Sequence, residues 1–169
     1  MAVVALKSTA VTNANATPRV QNPAGIQNGV VKRSQGFAAI GNGDSIGSTY
    51  RIGKVRSSDY MDRIRIVSAD IGTTGAADVG LYDVLTHSNG GTVVDADFFA
   101  SAVSFSGGAI DSDITFESAA AGGLLTNGEK RIWEALGLTA DPHKEYDLAL
   151  TLTAASDAAG TILVRYYYI

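Results

Sequence analysis

The chain has 169 residues, of which 13 are Lys or Arg and 17 are Asp or Glu, so its formal net charge is −4. The absence of cysteine excludes disulfide scaffolds, zinc ribbons, iron–sulfur ligation and thiol nucleophiles. Charged residues make up only 18% of the chain, against about 25% in an ordinary soluble domain. A surface so poor in charge disfavours an enzyme and is typical of a protein that packs against others.

The first 35 residues differ in character from the rest. Residues 1–43 contain Lys7, Arg19, Lys32 and Arg33 and no acidic residue, whereas residues 44–169 hold all 17 acidic residues. Before about Gly36 the sequence has no helical or strand periodicity, and it cannot bury enough apolar surface to fold alone. We therefore predict an extended N-terminal arm over residues 1–35 that orders against a neighbouring subunit, with a frayed terminus as the alternative.

Two classes of partner are disfavoured for this arm. Its positive charges are few and scattered, whereas phosphate binding clusters Lys and Arg on one face, so we expect no nucleic acid partner. The apolar run Ala2–Leu6 is far shorter than the ~20 residues that span a bilayer, and Lys7 follows it instead of preceding it as in a signal peptide. We therefore expect no membrane segment.

Residues 36–169 have the alternating pattern of β-strands and are predicted to form the body of the protein. In several segments apolar residues take every second position and polar residues lie between them, which predicts half-buried strands. These segments are Tyr50–Gly53, Arg63–Ile66, Asp78–Tyr82 and Tyr146–Thr153. Arg63 and Arg65 of the second segment predict a basic outer face for that strand.

The C-terminal segment Thr161–Ile169 is apolar on both faces, with Arg165 as its one charged residue. Such a strand lies inside a sandwich or beneath a partner. Because Tyr166, Tyr167 and Tyr168 alternate in direction, at least one ring points away from the core. We predict that this tyrosine run contacts a neighbouring subunit. A carbohydrate-stacking surface formed by these tyrosines or by Trp133 is the alternative.

One short helix is predicted near residue 130. Thr126 and Glu129 fit a capping box, in which each side chain satisfies a free backbone N–H group. Ile132 and Leu136 then lie on one apolar stripe, and Gly137 suits the left-handed residue that follows a helix. The helix is therefore expected to begin near Thr126 and to end before Gly137.

The pattern as a whole predicts an all-β fold. Residues 95–105 fit a short helix or a strand equally well. Roughly eight short strands separated by Gly-rich turns predict a two-sheet β-sandwich of jelly-roll type, with one short helix and the extended N-terminal arm.

No constellation in the sequence indicates catalysis, a cofactor or a metal. The G-x-S-x-G motif is absent, and His87 and His143 lie in turn and loop sequences where a solvated histidine is expected. Three carboxylate pairs could serve a glycosidase or hold calcium, but such pairs are common on solvated strands and turns. They are Asp95/Asp97, Asp111/Asp113 and Glu145/Asp147. We predict no catalytic, cofactor-binding or metal-binding residue among them.

Several strand phrases of the body resemble those of a known family. They are Tyr50–Val55 (YRIGKV), Arg63–Val67 (RIRIV), Ala76–Asp83 (AADVGLYD), Ile132–Leu138 (IWEALGL), Tyr146–Ala155 (YDLALTLTAA) and Ala159–Ile162 (AGTI). In these phrases the chain resembles the head decoration, or cement, proteins of tailed bacteriophages. The resemblance covers about residues 36–169 and leaves the arm uncovered. It has no active-site residues to transfer.

The resemblance implies a viral structural protein at the capsid exterior of the virion. Such a protein binds the major capsid protein of the assembled shell, bridges neighbouring coat subunits and is a homo-oligomer, for which we expect a trimer on a threefold axis. Residues Arg19, Lys32, Arg33, Tyr166, Tyr167 and Tyr168 are the candidate subunit contacts. A phage tail or fibre component and a carbohydrate-binding β-sandwich are the alternatives.

Overall fold

The computed structural model describes residues 5–86, 91–117 and 123–169 of the chain. Its strands are β1 (Lys32–Ile40), β2 (Thr49–Arg56), β3 (Met61–Ser68), β4 (Ala76–Asp83), β5 (Val93–Ser104), β6 (Ile110–Asp113), β7 (Glu145–Ala154) and β8 (Gly160–Tyr168). Its helices are short: α1 (Thr9–Ala14), α2 (Leu124–Asn127) and α3 (Ile132–Ala135). None of the described helices is long and apolar enough to cross a membrane.

The strands form two four-stranded sheets in the orders β1-β8-β3-β6 and β2-β7-β4-β5. All neighbouring strands are antiparallel. In each sheet the strand that comes earliest in the sequence pairs with the strand that comes latest: β1 pairs with β8, and β2 pairs with β7. Eight strands connected in this order are a jelly roll, the sandwich of two Greek keys. The predicted fold class is confirmed.

The core lies between the two sheets and is built from the alternation seen in the sequence. Ile64 and Ile66 of β3 face Leu148 and Leu150 of β7 across one hydrophobic cluster, and all four side chains are fully buried. Burial of one such side chain stabilises the fold by about 1.5–3 kcal/mol. On β3 the intervening residues Arg63 and Arg65 are exposed, as a half-buried strand requires, whereas Asp147 and Ala149 of β7 are buried on the outer side as well.

Residues 95–105, for which the sequence left helix and strand open, belong mostly to strand β5. Its pairing with β4 is broken by several register shifts. The inward side of this irregular strand carries Phe98 and Phe99, whose ring centroids are 4.7 Å apart in an edge-on arrangement. Phe116 completes the cluster, with its centroid 5.3 Å from that of Phe99. The aromatic pair is therefore placed by packing, not by helix formation.

The predicted capping box at Thr126 and Glu129 is wrong. Thr126 lies inside α2, and α3 begins only at Ile132, where the Glu134 carboxylate accepts from the backbone N–H of Arg131 at 2.8 Å. The backbone N–H of Ile132 donates to Asp59 O at 3.0 Å, so the turn before β3 fixes where the helix begins. This long-range contact overrides the local capping signal.

The end of the helix follows the prediction. Gly137 has φ 73°, the left-handed conformation that glycine adopts without strain. The N–H of Gly137 donates to Glu134 O and that of Leu138 to Trp133 O, both at 3.1 Å. This pair of hydrogen bonds is the Schellman motif.

The N-terminal segment has more local structure than its sequence suggested. It contains α1, which begins after Ser8, and the Asn22 amide donates to Ala10 O at 3.1 Å, so part of the segment folds back on itself. Strand β1 begins at Lys32 and so includes the last residues assigned to the arm. The extent of an arm that orders against a neighbour stays a prediction.

Candidate interaction surface

Strands β1 and β8 bring most of the predicted contact residues together. Lys32 lies opposite Tyr168, Arg33 opposite Tyr167 and Ser34 opposite Tyr166. The basic end of the arm and the C-terminal tyrosine run are thus neighbours in the sheet, although they lie at opposite ends of the sequence. Arg19 is not part of this group: it is exposed earlier in the N-terminal segment, where it lines a separate hollow with Gln21 and Gln27.

The three tyrosines have different surroundings, because successive residues of a strand face opposite ways. Tyr166 is only 3% exposed and its hydroxyl donates to Lys54 O at 3.2 Å, and burial raises the pKa of this phenol. Tyr168 is half-buried and stacks on Tyr166, with centroids 5.9 Å apart. Tyr166 therefore packs in the core of its own chain, whereas Tyr167 faces outward. The assignment of the tyrosines as subunit contacts stays a prediction.

Tyr167 lies among arginines on the outer side of the β1-β8-β3-β6 sheet. Its neighbours in the register are Arg33 of β1 and Arg63 of β3. In the next row Arg165 of β8 lies beside Arg65 of β3. We call the outer side of these four strands the basic face; it is defined by Arg33, Arg63, Arg65, Arg165 and Tyr167, together with the apolar row described below.

Two arginines of the basic face are neutralised by carboxylates of the edge strand β6. Arg65 binds Asp111 through two hydrogen bonds, Nε–Oδ1 at 2.5 Å and Nη2–Oδ2 at 2.7 Å, and this guanidinium holds the pKa of Asp111 below its ordinary value. Arg63 Nε lies 3.5 Å from Asp113 Oδ2. Both pairs are exposed, so they contribute little to stability.

The other two arginines have no such partner. Within the described part of the chain, neither Arg33 nor Arg165 has a carboxylate within 4.0 Å. Arg165 Nε instead donates to the neutral Gln35 side chain at 3.3 Å. The basic face therefore has a net positive charge on a chain whose formal net charge is −4.

An apolar row crosses the same face beside the arginines. Phe37 of β1 lies opposite Leu163 of β8, which in turn lies opposite Val67 of β3. The Phe37 ring is 64% exposed, whereas every other aromatic side chain of the protein is at least half-buried. Exposed aromatic and arginine side chains side by side are the composition of protein–protein interfaces. The basic face therefore has the composition of a surface that contacts another protein.

The carboxylate pairs singled out in the sequence are not alike. Asp111 and Asp113 are engaged by arginines, as described above. Burial, and then the neighbouring Asp97, raise the pKa of Asp95. Asp147 is buried and accepts from the backbone N–H of Leu85 at 2.9 Å, whereas Glu145 is exposed. These differences reflect local packing, since the spacing of two residues is common to all three pairs.

The remaining candidates for chemistry are scattered. His143 is exposed in the loop before β7, and His87 lies outside the described residues. Trp133 is half-buried on α3, whereas the tyrosine run belongs to β8. In residues 5–86, 91–117 and 123–169, no group of three His, Cys, Asp or Glu side chains could hold a metal ion.

Comparisons with known proteins agree on the architecture. No protein-family model matches the chain, and no curated relative does. A chain from the capsid of Ralstonia phage GP4 is similar in structure, with a TM-score of 0.58 and 14% identity over 88% of this chain and 90% of that one. A chain from the cyanophage Pam1 capsid asymmetric unit has a TM-score of 0.53 and 15% identity over 95% and 98%. At these identities the likeness shows a shared fold.

Proposed function

We propose that the protein is a structural component of a phage virion that binds the outside of the assembled capsid and stabilises it by bridging neighbouring coat subunits. The observation that carries this proposal is the basic face, where Arg33 and Arg165, which have no carboxylate within 4.0 Å among the described residues, share one side of the sheet with the exposed Phe37. The similarity in fold to two chains from phage capsids supports the placement in a virion. No step of this function requires catalysis.

The area of contact through the basic face alone would be small. Strands lie about 4.8 Å apart and rise about 3.3 Å per residue, so these four strands present roughly 500 Å². A stable protein–protein interface buries about 800 Å² on each partner. The N-terminal segment supplies the remaining area in our proposal, because it exposes Val11 and Val20 beside the exposed Arg19. Two contacts joined in one chain also reinforce each other, since the second forms within an already bound molecule.

The N-terminal segment is anchored to the body around Gly25 and Gly29. Gly25 packs against the Tyr60 ring so closely that a Cβ atom there would lie 2.2 Å from Cδ1, and Gly29 packs against Ile169. Most described residues before this anchor are exposed, and Lys7 and Arg19 are the charged residues among them. We propose that these residues contact an adjacent coat subunit. The anchor then connects that contact mechanically to the β-sandwich.

The proposed partner is the major capsid protein, and the proposed location is the exterior of the virion. A closed homo-oligomer, with a trimer as the expected form, would match a symmetry axis of the shell. Nucleic acid and membranes are not proposed partners. The shell gains stability from many copies, each adding a modest contact against the outward pressure of packaged DNA.

The decisive experiment is co-sedimentation of the purified chain with expanded, DNA-free capsids of its phage, alongside unexpanded precursor shells. We expect saturable binding to the expanded form. Phe37→Asp combined with Arg33→Glu should weaken this binding at least about tenfold, which is about 1.4 kcal/mol. Ile46→Asp is the matched control, because Ile46 is 69% exposed in the loop between β1 and β2, outside the basic face.

The outcomes separate the parts of the proposal. Binding to neither shell would overturn it and favour a tail or fibre component. Equal weakening by Ile46→Asp would show that the basic face is not the contact. Deletion of residues 1–22, which leaves the Gly25 anchor and β1 in place, should also lower the affinity; unimpaired binding would refute the role of the N-terminal segment alone.

A further inference from the structure

A second surface lies at the end of the sandwich, outside the basic face. It is an open groove of about 490 Å³ between the start of β5, the start of β7 and the segment after α3. Its floor is apolar and consists of Val94, Leu136, Leu138 and Pro142. Leu138 is 42% exposed and Val94 is 38% exposed, so this apolar floor is open to solvent.

The rim of the groove is acidic. Asp83 and Asp95 both line it, and Lys144 is the one cation among its lining residues. Lys144 Nζ lies 3.8 Å from Asp83 Oδ1, so its charge is already engaged. Among the described residues, Asp95 has no cation within 4.0 Å. The groove therefore suits an apolar side chain followed closely by a positive charge.

The N-terminal segment of the chain has this chemistry. Leu6 is 90% exposed, and Lys7 follows it directly. Lys7 has no carboxylate within 4.0 Å in the described residues, and residues 1–43 contain no acidic residue that could compete for the groove's charge. The charge and the apolar surface of the segment are complementary to those of the groove.

The groove and the anchor of the N-terminal segment lie at the same end of the sandwich. The anchor at Gly25 rests on Tyr60, which forms a β-bridge with Arg131 at the start of α3. From there α3 leads directly to Leu136 and Leu138 in the floor of the groove. Nevertheless the segment leaves the groove of its own chain open, and Leu6 stays exposed. Copies placed side by side could each give a segment to a neighbour and close a ring.

We infer that the Leu6–Lys7 segment of one copy docks in the Leu138–Asp95 groove of a second copy. Leu6 covers the apolar floor between Val94 and Leu138, and the Lys7 ammonium pairs with the Asp95 carboxylate. The exchange links copies of this chain to one another. It goes beyond the proposed function, since it concerns contacts among the copies and not their contact with the shell.

Disulfide trapping tests the exchange, because the chain has no cysteine of its own. A Leu6→Cys chain is mixed with a differently tagged Leu138→Cys chain and oxidised mildly. We expect the mixed disulfide to form several times faster than in the control mixture of Leu6→Cys with Ile46→Cys, since Ile46 is also exposed but lies outside the groove. Equal rates in the two mixtures would overturn the inference.

A chain that carries both Leu6→Cys and Leu138→Cys decides whether the groove belongs to the same copy. Exchange between copies gives linked dimers and higher multiples of 17.5 kDa. Closure of the disulfide within a monomer would overturn the inference in favour of docking on the chain's own groove.

Charge reversal supplies a test without cysteine. Lys7→Glu and Asp95→Lys should each lower the weight-average mass toward 17.5 kDa in sedimentation equilibrium. A mixture of the two variants should regain the larger mass, because each segment then meets a groove of opposite charge in the other variant. A wild-type chain that stays monomeric, or a mixture that does not recover, would contradict the inference. Shell binding is measured separately, so either proposal can fail alone.

Discussion

The outer faces of the two sheets differ in exposure, although both sheets belong to one jelly roll: one face is covered by the chain itself and the other is open to solvent. On the β2-β7-β4-β5 sheet, outward-facing Tyr82, Asp147 and Ala149 are no more than 6% exposed. The chain itself covers them: Gly91 O accepts from Arg51 Nη2 at 2.7 Å, and the start of β5 crosses over Gly80. The basic face of the other sheet has no such cover from the described residues, and Phe37 remains exposed there.

The arginines show what the difference means for energy and function. Arg51 on the covered sheet lies 4.3 Å from the Tyr82 ring centroid and its Nη1 lies 3.7 Å from Asp147, so its charge is engaged inside the chain. Its Nη1 nevertheless has no hydrogen-bond partner among the described residues. Arg33 and Arg165 on the basic face have no carboxylate within 4.0 Å among the described residues. The charge of Arg51 is therefore neutralised within the fold, whereas an arginine without an ion pair on an open face is available to a partner.

Among substitutions that test the difference between the two faces, the largest change in the free energy of unfolding is expected at Gly80. A Cβ atom there would lie 2.2 Å from Asp95 O, so any side chain would push the start of β5 off the covered sheet. Gly80→Val should lower the free energy of unfolding by about 3 kcal/mol, measured by urea denaturation. Ala39→Val, at an exposed position of β1, is the control and should change it by less than about 0.5 kcal/mol. Similar values for the two variants would show that the cover is loose.

Removal of one arginine from each sheet should give a smaller difference in the free energy of unfolding. Arg51→Met leaves the buried Asp147 without its cation and should lower the free energy of unfolding by about 2 kcal/mol. Arg165→Met removes an arginine that has no ion pair in the described chain, and its effect should stay within about 0.5 kcal/mol. Thermal denaturation of both variants at one pH measures the difference; a loss at Arg165 as large as that at Arg51 would contradict it.

The smallest expected effect is a pH dependence of opposite sign at two aspartates. Burial raises the pKa of Asp95 above its unfolded value, so the folded protein binds the proton more tightly and stability falls as the pH rises from the unfolded pKa through the raised one. Arg65 lowers the pKa of Asp111, so the stability from this group is present at neutral pH and lost as the pH falls through the lowered pKa.

The corresponding variants are Asp95→Asn and Asp111→Asn. At pH 7 the first should stabilise the protein and the second should destabilise it, and both differences from wild type should shrink as the pH falls to the range where both states are protonated. Urea denaturation at pH 7 and at pH 3 measures the four differences. Effects of the same sign at pH 7 would show that the two carboxyl groups do not have the environments described here.

Part of the candidate surface was predictable from the sequence. Alternation predicted a basic outer side at Arg63 and Arg65 and predicted that the tyrosine run cannot lie wholly in the core. It did not predict that Tyr166 is the buried member of the run, nor that Phe37 lies exposed beside Leu163. The assignment of Lys32 and Arg33 to an arm also missed that both belong to β1. Ala38 and Ile40 are buried in this strand while the equally apolar Phe37 and Ala39 are exposed, so the sequence there has no apolar and polar alternation that would indicate a strand.

Local sequence patterns were enough to predict the strand class of the body, the inward and outward sides of several strands and the left-handed end of α3 at Gly137. These properties depend on residues close together in the chain, whose period and turn chemistry act locally. The row formed by Arg33, Tyr167 and Arg63 and the start of α3 at Ile132 emerge from strand pairing and long-range packing. The same holds for which sheet the chain covers with its own backbone. These properties depend on contacts between residues far apart in sequence, and no local pattern specifies which distant strand becomes a neighbour.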